Sequence, residues 1–261
     1  KLILKKLNIN LNILKWFGKK PKSNLQSTAR KKRYDLIYKS MSINKINILF
    51  FGHNLDDLIE NFFLRLTRGS GLDGIVSFNS KITINEKGML IVRPLINIEK
   101  EDLLYITKKV FGYYIQDISN NNINFKRVRI RNIITKLKDE GFDYTKIKLT
   151  TSNLTDANLS LRYYVNENIK NNSSYINHHK IILSKEFFNQ PNEIVFRSLK
   201  HTFLCLNNNY YAPRGKKIIN LIKTLKNGNF RKTTLGGCIV EKFHKSVLVF
   251  KENSKKNAKY V

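Results

Sequence analysis

The sequence predicts an α/β fold in which a partial parallel sheet is followed by a helical region and a small second α/β domain. The first indication is the apolar run Ile46–Phe51, which is typical of a strand buried on both faces of a parallel sheet. The second indication is an apolar stripe with helical spacing that directly follows this strand and consists of Leu55, Ile59, Phe62 and Leu66. The third indication is a further series of strand-like and helix-like segments beyond Tyr175.

The turn between this strand and this helix carries the first candidate site. Asn54 is a favourable N-cap, and His53 stands at the carboxyl end of the strand, where open α/β sheets bind ligands. Asp56 and Asp57 fall in the first helical turn, where the helix dipole stabilises carboxylates. Two interpretations are open at this point. The three residues only stabilise the turn, or they hold Mg²⁺ and a cationic substrate.

A glycine-rich loop follows the helix and forms a second candidate site. Arg68 stands beside Gly69, Gly71 and Gly74. The backbone amides of such a loop and a neighbouring guanidinium can bind an anion together. The loop is therefore a candidate for binding a nucleotide or a substrate anion.

The composition points to a polyanionic partner. The 261 residues include 48 Lys and Arg against 19 Asp and Glu, which gives a formal net charge of +29 at pH 7. Such an excess favours nucleic acid as the partner, although an AT-rich genome also raises the content of Lys, Asn and Ile. The longest apolar runs are too short to form a helix that spans a bilayer, so we expect no association with a membrane.

The two cysteines, Cys205 and Cys238, are far apart and form no Cys-x-x-Cys pair. Thiolates alone therefore build neither a structural zinc site nor an iron–sulfur cluster. We expect both cysteines to be buried small hydrophobic residues in a reducing compartment. The histidines outside the first site show no metal-ligand spacing, namely His178, His179, His201 and His244.

The segment before the first strand is basic and partly apolar. We predict a strand at Leu11–Trp16 and then a helix capped by Ser23 or Asn24. The charge run Arg30–Arg33 is either a solvated helix face or an RNA contact. A transit peptide is the alternative interpretation of the whole segment.

After the glycine-rich loop, Ile82–Ile84 and Met89–Val92 predict a hairpin, and Pro94 limits its second strand because proline lacks an amide donor. Asn97 is the predicted cap of the following helix, and Gly112 is its predicted end. The inward positions of this helix are expected to be Leu103, Ile106 and Val110.

Three arginines alternate along the next predicted helix. Arg127 and Arg131 share a face, because a helix turns by about 100° per residue. They are candidates for one anion site that binds ATP or RNA phosphate. Arg129 falls on a different face of this helix. The turn formers before this helix are Asp117, Ser119 and Asn120.

The rest of the chain is predicted to hold a helical linker at residues 136–174, a small α/β domain at residues 175–252 and a basic tail at residues 253–261. Asn166–Ser174 is expected to break the helix. The small domain is predicted to contain a strand near Ile181, helices at Asn192–Leu206 and Lys216–Leu225, and a hairpin of Thr234–Val240 with Ser246–Val249.

The motifs resemble those of the bacterial tRNA(Ile)-lysidine synthases. GHNLDD with Glu60, followed by RGSGLDG, resembles the family signature His-His-x-x-Asp-Asp-x-x-Glu-Thr and Arg-Gly-x-Gly, with Gly52 and Asn61 as departures. The string from Asp117 to Arg131 resembles the next family motif, with Val128 in place of the usual Asn. The resemblance implies that residues 1–135 are the remainder of an N-type ATP-pyrophosphatase core with a Rossmann-like fold.

The resemblance also implies a function and roles for residues. The family joins free lysine to the wobble cytidine of tRNA(Ile) with ATP and Mg²⁺, through an adenylylated intermediate. By this resemblance Asp57 holds lysine or Mg²⁺ and is supported by His53 and Asp56. The residues implied in nucleotide or substrate binding are Arg68, Gly69, Gly71, Arg127 and Arg131. Those implied in tRNA binding are Arg30, Arg33, Arg129 and Arg214.

One family motif, the phosphate-binding loop Ser-Gly-Gly-x-Asp-Ser, does not occur in the sequence. We expect it to be encoded upstream of Lys1, if the gene is intact. The alternatives are a non-catalytic tRNA-binding remnant and another RNA-modifying ATP-pyrophosphatase. The resemblance implies a bacterial cytoplasm, or a mitochondrion or plastid of bacterial descent, and a homodimer is possible.

Overall fold

The computed structural model describes residues 2–18, 25–79, 82–84, 88–115, 122–207, 212–227 and 230–252. The chain forms two compact units, Lys1–Thr151 and Ser152–Val261. The first unit contains a small, partly parallel sheet and the second an antiparallel sheet, so the predicted α/β class is confirmed at this level. Within the described residues, no helix combines the length and the hydrophobicity of a membrane span.

The first unit is predominantly helical. Its elements are α1 (Leu2–Lys6), α2 (Leu25–Ile43), β1 (Ile48–Phe50), α3 (Leu55–Leu66), α4 (Leu72–Val76), β2 (Ile82–Ile84), β3 (Leu90–Val92), α5 (Lys100–Phe111), α6 (Lys126–Asp139) and α7 (Tyr144–Asn172), which continues past Thr151.

The sheet of the first unit has the order β1-β3-β2. β1 pairs with β3 in parallel, with Leu49 opposite Ile91, and β2 pairs with β3 in antiparallel. The predicted hairpin is therefore confirmed, while its turn residues 85–87 lie outside the described residues. The expectation that β1 is buried on both faces is wrong, because Phe50 is 65% exposed on a strand that is paired on one side only.

α3 anchors the core of this unit. Its predicted N-cap Asn54 is confirmed. The predicted stripe is wrong at Leu66, which is exposed at the end of the helix, whereas Leu58 is buried. Each fully buried aliphatic side chain stabilises the fold by about 1.5–3 kcal/mol. The core joins α3 to α6 and to the start of α7 through Leu55, Leu58, Ile59, Ile96, Ile130, Ile134 and Ile147.

Two further expectations for this unit are wrong. Leu11–Trp16 is not a strand, because no neighbouring strand among the described residues supplies a hydrogen-bond ladder, and Ile13 is exposed. The cap of α5 is Glu99 rather than Asn97. The first helical amide, of Lys100, donates instead to the Asp56 carboxylate.

The outer face of α5 also differs from the prediction. Ile106 and Val110 are exposed, and Leu103 is half-buried. The end of α5 is as predicted. Gly112 adopts φ +75° and donates its amide to the carbonyl of Lys108, a C-cap conformation that favours glycine. The helix caps predicted at Ser23 or Asn24, and the turn at Asp117–Asn120, lie outside the described residues.

The second unit is a five-stranded antiparallel sheet with the order β4-β5-β8-β7-β6, packed against helices. Its elements are β4 (Ser173–Asn177), β5 (Lys180–Leu183), α8 (Lys185–Phe188), α9 (Asn192–Asn207), α10 (Gly215–Lys226), β6 (Lys232–Leu235), β7 (Cys238–Phe243) and β8 (Ser246–Lys251). The two long helices predicted for this region are confirmed. The predicted tail at residues 253–261 lies outside the described residues.

The strand predicted at Thr234–Val240 is instead two strands joined by a turn at Gly236 and Gly237. Both glycines have positive φ, 61° and 75°, which is a turn conformation rather than a strand conformation. The predicted break at Asn166–Ser174 is also wrong, since α7 continues to Asn172. The buried amide of Asn168 donates to Ser198 Oγ and to the Phe187 carbonyl, so this polar residue is satisfied inside the helix.

The core of the second unit is continuous. Side chains of α9 and α10 pack on one face of the sheet, and many are fully buried. Cys238 belongs to this core, and burial raises the pKa of its thiol to about 11. Cys205 is exposed, so the expectation of burial is wrong for this residue because it lies on the outer face of α9.

Candidate active site

The site lies where β1 and β3 end. Because these strands are parallel, their carboxyl ends meet at one edge of the sheet, which brings His53 after β1 near Arg93 after β3. The turn into α3 is fixed by a capping box. Asn54 Oδ1 accepts the Asp57 amide at 3.0 Å, and Asp57 Oδ2 accepts the Asn54 amide at 3.1 Å.

Four charged side chains form the centre of the site, and we call them the carboxylate–guanidinium cluster: Asp57, Glu60, Arg127 and Arg131. Arg127 donates from Nη2 to Asp57 Oδ1 and from Nε to Glu60 Oε2. Arg131 donates from Nε to Glu60 Oε1. The predicted common face of the two arginines is thus confirmed, and it meets the acidic face of α3.

Glu60 is the most buried member of the cluster, with a side chain only 5% exposed. A buried carboxylate needs cationic partners, and removing one partner of such a pair costs about 3–5 kcal/mol. Burial lowers the pKa of Arg127, but Glu60 and Asp57 together raise it above its ordinary value. The guanidinium of Arg127 therefore stays charged in this arrangement.

Asp56 has a different environment. Its carboxylate accepts the Lys100 amide and the Tyr144 hydroxyl, each at 2.8 Å. Burial, together with this hydrogen bond, raises the pKa of Tyr144. Asp56 therefore joins the beginnings of α5 and α7 to α3, and its supporting role in the reaction stays a prediction.

A small polar cavity lies between Asp56 and the cluster. Its volume is about 160 Å³. It contains both acidic and basic side chains beside a wall of isoleucines, and its polar lining comprises Asp56, Glu60, Lys100, Arg131, Lys138 and Tyr144. A space of this size that presents both signs of charge suits a small zwitterion.

His53 lies between two phenylalanines, with ring centroids 5.1 Å from Phe51 and 4.9 Å from Phe78. Burial lowers the pKa of His53, Asp57 opposes this effect, and nearby arginines lower the pKa further. The imidazole is therefore neutral at pH 7. Its Nδ1 is buried and has no hydrogen-bond partner among the described residues.

The glycine-rich loop lies at the other end of α3. Arg68 follows the C-cap Thr67, about 16 Å along the helix from Asp57 at 1.5 Å per residue. The Arg68 amide donates to the carbonyl of Arg65, while its exposed side chain makes no hydrogen bond or ion pair within the described part of the chain. Gly69 has φ +64°, and Gly71 precedes the short helix α4. Their part in anion binding stays a prediction.

The four arginines predicted to bind tRNA have separate positions. Arg30 donates to the Tyr34 hydroxyl at 3.2 Å and lies close enough to His53 to lower its pKa. Arg129 donates to the carbonyls of Ile123 and Asn124, away from the cluster as its spacing predicts. Arg33 lies on α2 and Arg214 lies directly before α10, and both are exposed.

The described residues do not fit a magnesium site at Asp57. No group of three or more His, Cys, Asp and Glu among them is arranged to hold a metal ion. Both carboxylate oxygens of Asp57 are engaged, one by the Arg127 guanidinium and one by the Asn54 amide. A guanidinium at this position repels a second cation.

Sequence reasoning assigned no role to three residues of the site. Glu60 lies one turn after Asp57, and that spacing could have identified it as an acid on the same face. Arg93 follows the second parallel strand, so the rule for strand ends could have identified it. Tyr144 contacts Asp56 across 88 residues of sequence, and no local pattern signals that contact.

The fold and the site define the class of protein. Residues 1–138 match the model of the PP-loop domain family, a stretch that contains all of the carboxylate–guanidinium cluster as well as His53. The chain belongs to this family of ATP-binding domains.

Individual relatives to which the chain is similar are tRNA(Ile)-lysidine synthases, the family that its motifs resemble. That of Wolbachia sp. subsp. Brugia malayi (strain TRS) is 33% identical over 250 residues, which cover 93% of this chain and 56% of the relative. That of Orientia tsutsugamushi (strain Boryong) is 30% identical over 252 residues, 92% of this chain and 55% of the relative.

A third relative matches about half of the chain. The tRNA(Ile)-lysidine synthase of Buchnera aphidicola subsp. Baizongia pistaciae (strain Bp) is 40% identical over 139 residues, 53% of this chain and 29% of the relative. The chain spans about half the length of the curated relatives it matches over most of its sequence.

Proposed function

We propose that the chain is part of a tRNA(Ile)-lysidine synthase, an ATP-dependent ligase that joins lysine to the wobble cytidine of the CAU-anticodon tRNA(Ile). The modified tRNA then reads AUA instead of AUG. The carboxylate–guanidinium cluster beside His53 carries this proposal, because Asp57, its more accessible acid, can exchange the guanidinium of Arg127 for the ammonium group of lysine.

The reaction needs activation of the cytosine ring. Its carbonyl oxygen is a poor leaving group, so transfer of AMP from ATP to that oxygen releases pyrophosphate and makes the ring carbon electrophilic. The amine of lysine then forms the new C–N bond, and AMP leaves with the oxygen. The attacking amine must lose a proton, which requires a nearby acceptor.

Asp57 is our candidate for that acceptor. Its side chain is 23% exposed, more than that of Glu60, so it is the more accessible acid of the cluster. An incoming ammonium group replaces the guanidinium of Arg127 at Asp57, and the freed guanidinium binds phosphate. Arg131 stays on Glu60 and keeps the buried acid neutralised. His53, neutral at pH 7, supports proton transfer from the same edge of the sheet.

The polar cavity is our candidate for the body of the lysine substrate. Glu60 belongs to both the cluster and the cavity lining, so the two sites are continuous. The carboxylates of the lining match the amino groups of lysine, and the side chains of Lys100 and Lys138 match its carboxylate. The isoleucine wall accommodates its methylene groups.

The wider organisation follows the family. We assign residues 1–135 to the Rossmann-like N-type ATP-pyrophosphatase core, residues 136–174 to a helical linker, and residues 175–252 to an accessory domain that binds tRNA with Arg214. The magnesium ion stays a prediction, and such an ion is commonly carried by nucleotide phosphates. We place the enzyme in the bacterial cytoplasm, where tRNA is modified, with a homodimer as the predicted oligomer.

The test is transfer of radioactive lysine to a tRNA(Ile) transcript with a CAU anticodon, using the product of the complete open reading frame that encodes this chain. Asp57→Asn should lower the transfer rate at least 100-fold, by loss of the proton acceptor, while tRNA affinity changes by less than about threefold. Asp139→Asn, the same change at an exposed carboxylate at the end of α6, is the matched control.

Three outcomes would contradict the proposal. Transfer by Asp57→Asn at the wild-type rate would remove Asp57 from the reaction. Release of pyrophosphate with an RNA other than tRNA(Ile) would favour another RNA-modifying ATP-pyrophosphatase. Binding of tRNA with no transfer, in a reading frame without Ser-Gly-Gly-x-Asp-Ser, would favour a non-catalytic remnant.

A further inference from the structure

Aromatic and basic side chains lie around His53. They come from α2, from the ends of β1 and β3, and from the segment after α4. We call this group the aromatic–basic patch, and it consists of Arg30, Tyr34, Phe51, His53, Phe78 and Arg93.

The rings of the patch form a continuous series. The ring centroids of Tyr34 and Phe51 are 5.7 Å apart, and His53 links Phe51 to Phe78 at 5.1 and 4.9 Å. All four rings are half-buried, so each retains exposed surface. Phe78 also packs against the core of the first unit, which fixes its position. The patch is therefore a firm, partly open aromatic surface.

Two guanidiniums flank these rings. That of Arg30 lies 5.2 Å from the ring centroid of Tyr34, and that of Arg93 lies 5.1 Å from that of Phe78. Arg30 makes no ion pair within the described residues. The two cations are also close enough for Arg30 to lower the pKa of Arg93, which burial lowers first. Cations that converge in this way attract an anion.

One polar atom in the patch lacks a partner. His53 Nδ1 is buried, and no described residue donates to it or accepts from it. A buried polar atom without a hydrogen bond is unfavourable, so such atoms are commonly completed by a ligand or water. The edge of a nucleobase carries both hydrogen-bond donors and acceptors, so it can supply the missing partner of His53 Nδ1.

We infer that the aromatic–basic patch binds one unpaired nucleotide of an RNA strand, with its base against the rings and its flanking phosphates on the two guanidiniums. This inference rests on the function proposed above. Sequence-tolerant binding of single strands uses the same combination of stacking rings and cations. A nucleotide within a strand has a phosphate on each side, which matches guanidiniums from two elements, whereas the phosphates of ATP extend from one side only.

The experiment uses a single-stranded RNA heptamer centred on CAU, with fluorescent pyrrolocytidine in place of the cytidine, and no ATP or lysine. Stacking of the base quenches its fluorescence. Titration with the 261-residue chain should quench the probe. Phe78→Leu keeps an apolar side chain without the ring and should weaken binding about tenfold, while Phe78→Trp should restore it. Arg30→Gln should weaken binding and reduce its salt dependence.

Matched controls lie outside the patch. Tyr105→Leu removes an exposed ring from α5, and Arg231→Gln removes an exposed guanidinium from the second unit. Neither change should alter the affinity more than about twofold. Thermal unfolding of each variant verifies that it is folded. If Phe78→Leu unfolds, Arg30→Gln, which changes an exposed side chain, decides the question.

Three results would overturn the inference: equal affinity of the patch variants and the controls, equal binding of the heptamer as a duplex, or recovery of the fluorescence on addition of ATP. The last result would assign the patch to the nucleotide cofactor. Failure of the proposed function is distinguishable, because Asp57→Asn should abolish lysine transfer and leave the quenching of the heptamer unchanged.

Discussion

The two units of this chain differ in how they are stabilised. In its described residues, the first has three strands of three residues each and a cluster of buried charge between α3 and α6. The second has five paired strands and a core in which side chains such as Leu199 and Val240 are fully buried. The comparison teaches that the candidate chemistry lies in the unit with the smaller apolar core, where charge pairing must supply part of the stability.

Glu60→Ala tests this difference most strongly. It leaves Arg127 and Arg131 without their central partner, and we expect the first unit to lose about 3–5 kcal/mol of unfolding free energy. The single tryptophan of the chain, Trp16, lies in the first unit, so its fluorescence in a urea titration reports that unit. Glu60→Gln is the matched variant that keeps the shape. An unchanged midpoint would show that the cluster does not stabilise the unit.

Leu199→Ala is the corresponding change in the second unit. It creates a cavity in a fully buried apolar site, and we expect a loss of about 3 kcal/mol. Hydrogen exchange of the amides in β7 and β8 should accelerate, while the Trp16 transition stays in place. Leu159→Ala, at an exposed position on α7, is the control. A shift of the Trp16 transition by Leu199→Ala would contradict separate stabilisation of the units.

Asp56→Ala should have an intermediate effect. It removes the acceptor of the Lys100 amide and of the Tyr144 hydroxyl, and we expect a loss of about 1–2 kcal/mol in the Trp16 transition. Tyr144→Phe removes only the second of these bonds and should lose less. If Asp56→Ala and Tyr144→Phe lower the free energy of unfolding equally, the hydrogen bond from the Lys100 amide to Asp56 contributes nothing to stability.

The smallest expected effect is a dependence on pH. The pKa of His53 lies below its ordinary value in the folded protein, since burial lowers it more than Asp57 raises it, and Arg93, Arg127 and Arg30 also lower it. The unfolded chain therefore takes up a proton first as the pH falls. Stability of the first unit should decrease from about pH 7.5 to 5.5, and His53→Gln should flatten that decrease. Identical profiles would contradict the lowered pKa.

Local signals in the sequence predicted local structure well. Asn54 and Gly112 mark their helix ends because capping depends on adjacent residues. The pairing of β2 with β3 followed from two short apolar runs. The common face of Arg127 and Arg131 followed from helical spacing alone.

Contacts between distant residues could not be predicted in this way. Asn97 is a good cap by type, yet the carboxylate of Asp56, 44 residues before Lys100, accepts the first amide of α5 instead. The role of Glu60 depends on α6 packing against α3. Leu11–Trp16 has the composition of a strand, but a strand also needs a neighbour, and composition does not supply one.

The unequal environments of the two cysteines have a practical consequence. Cys205 is exposed, whereas Cys238 is enclosed in the second core with a thiol pKa of about 11. A maleimide dye at neutral pH should therefore attach to one position of the natural sequence, because the thiolate is the reactive form. Such a label would report on the second unit without any engineered cysteine.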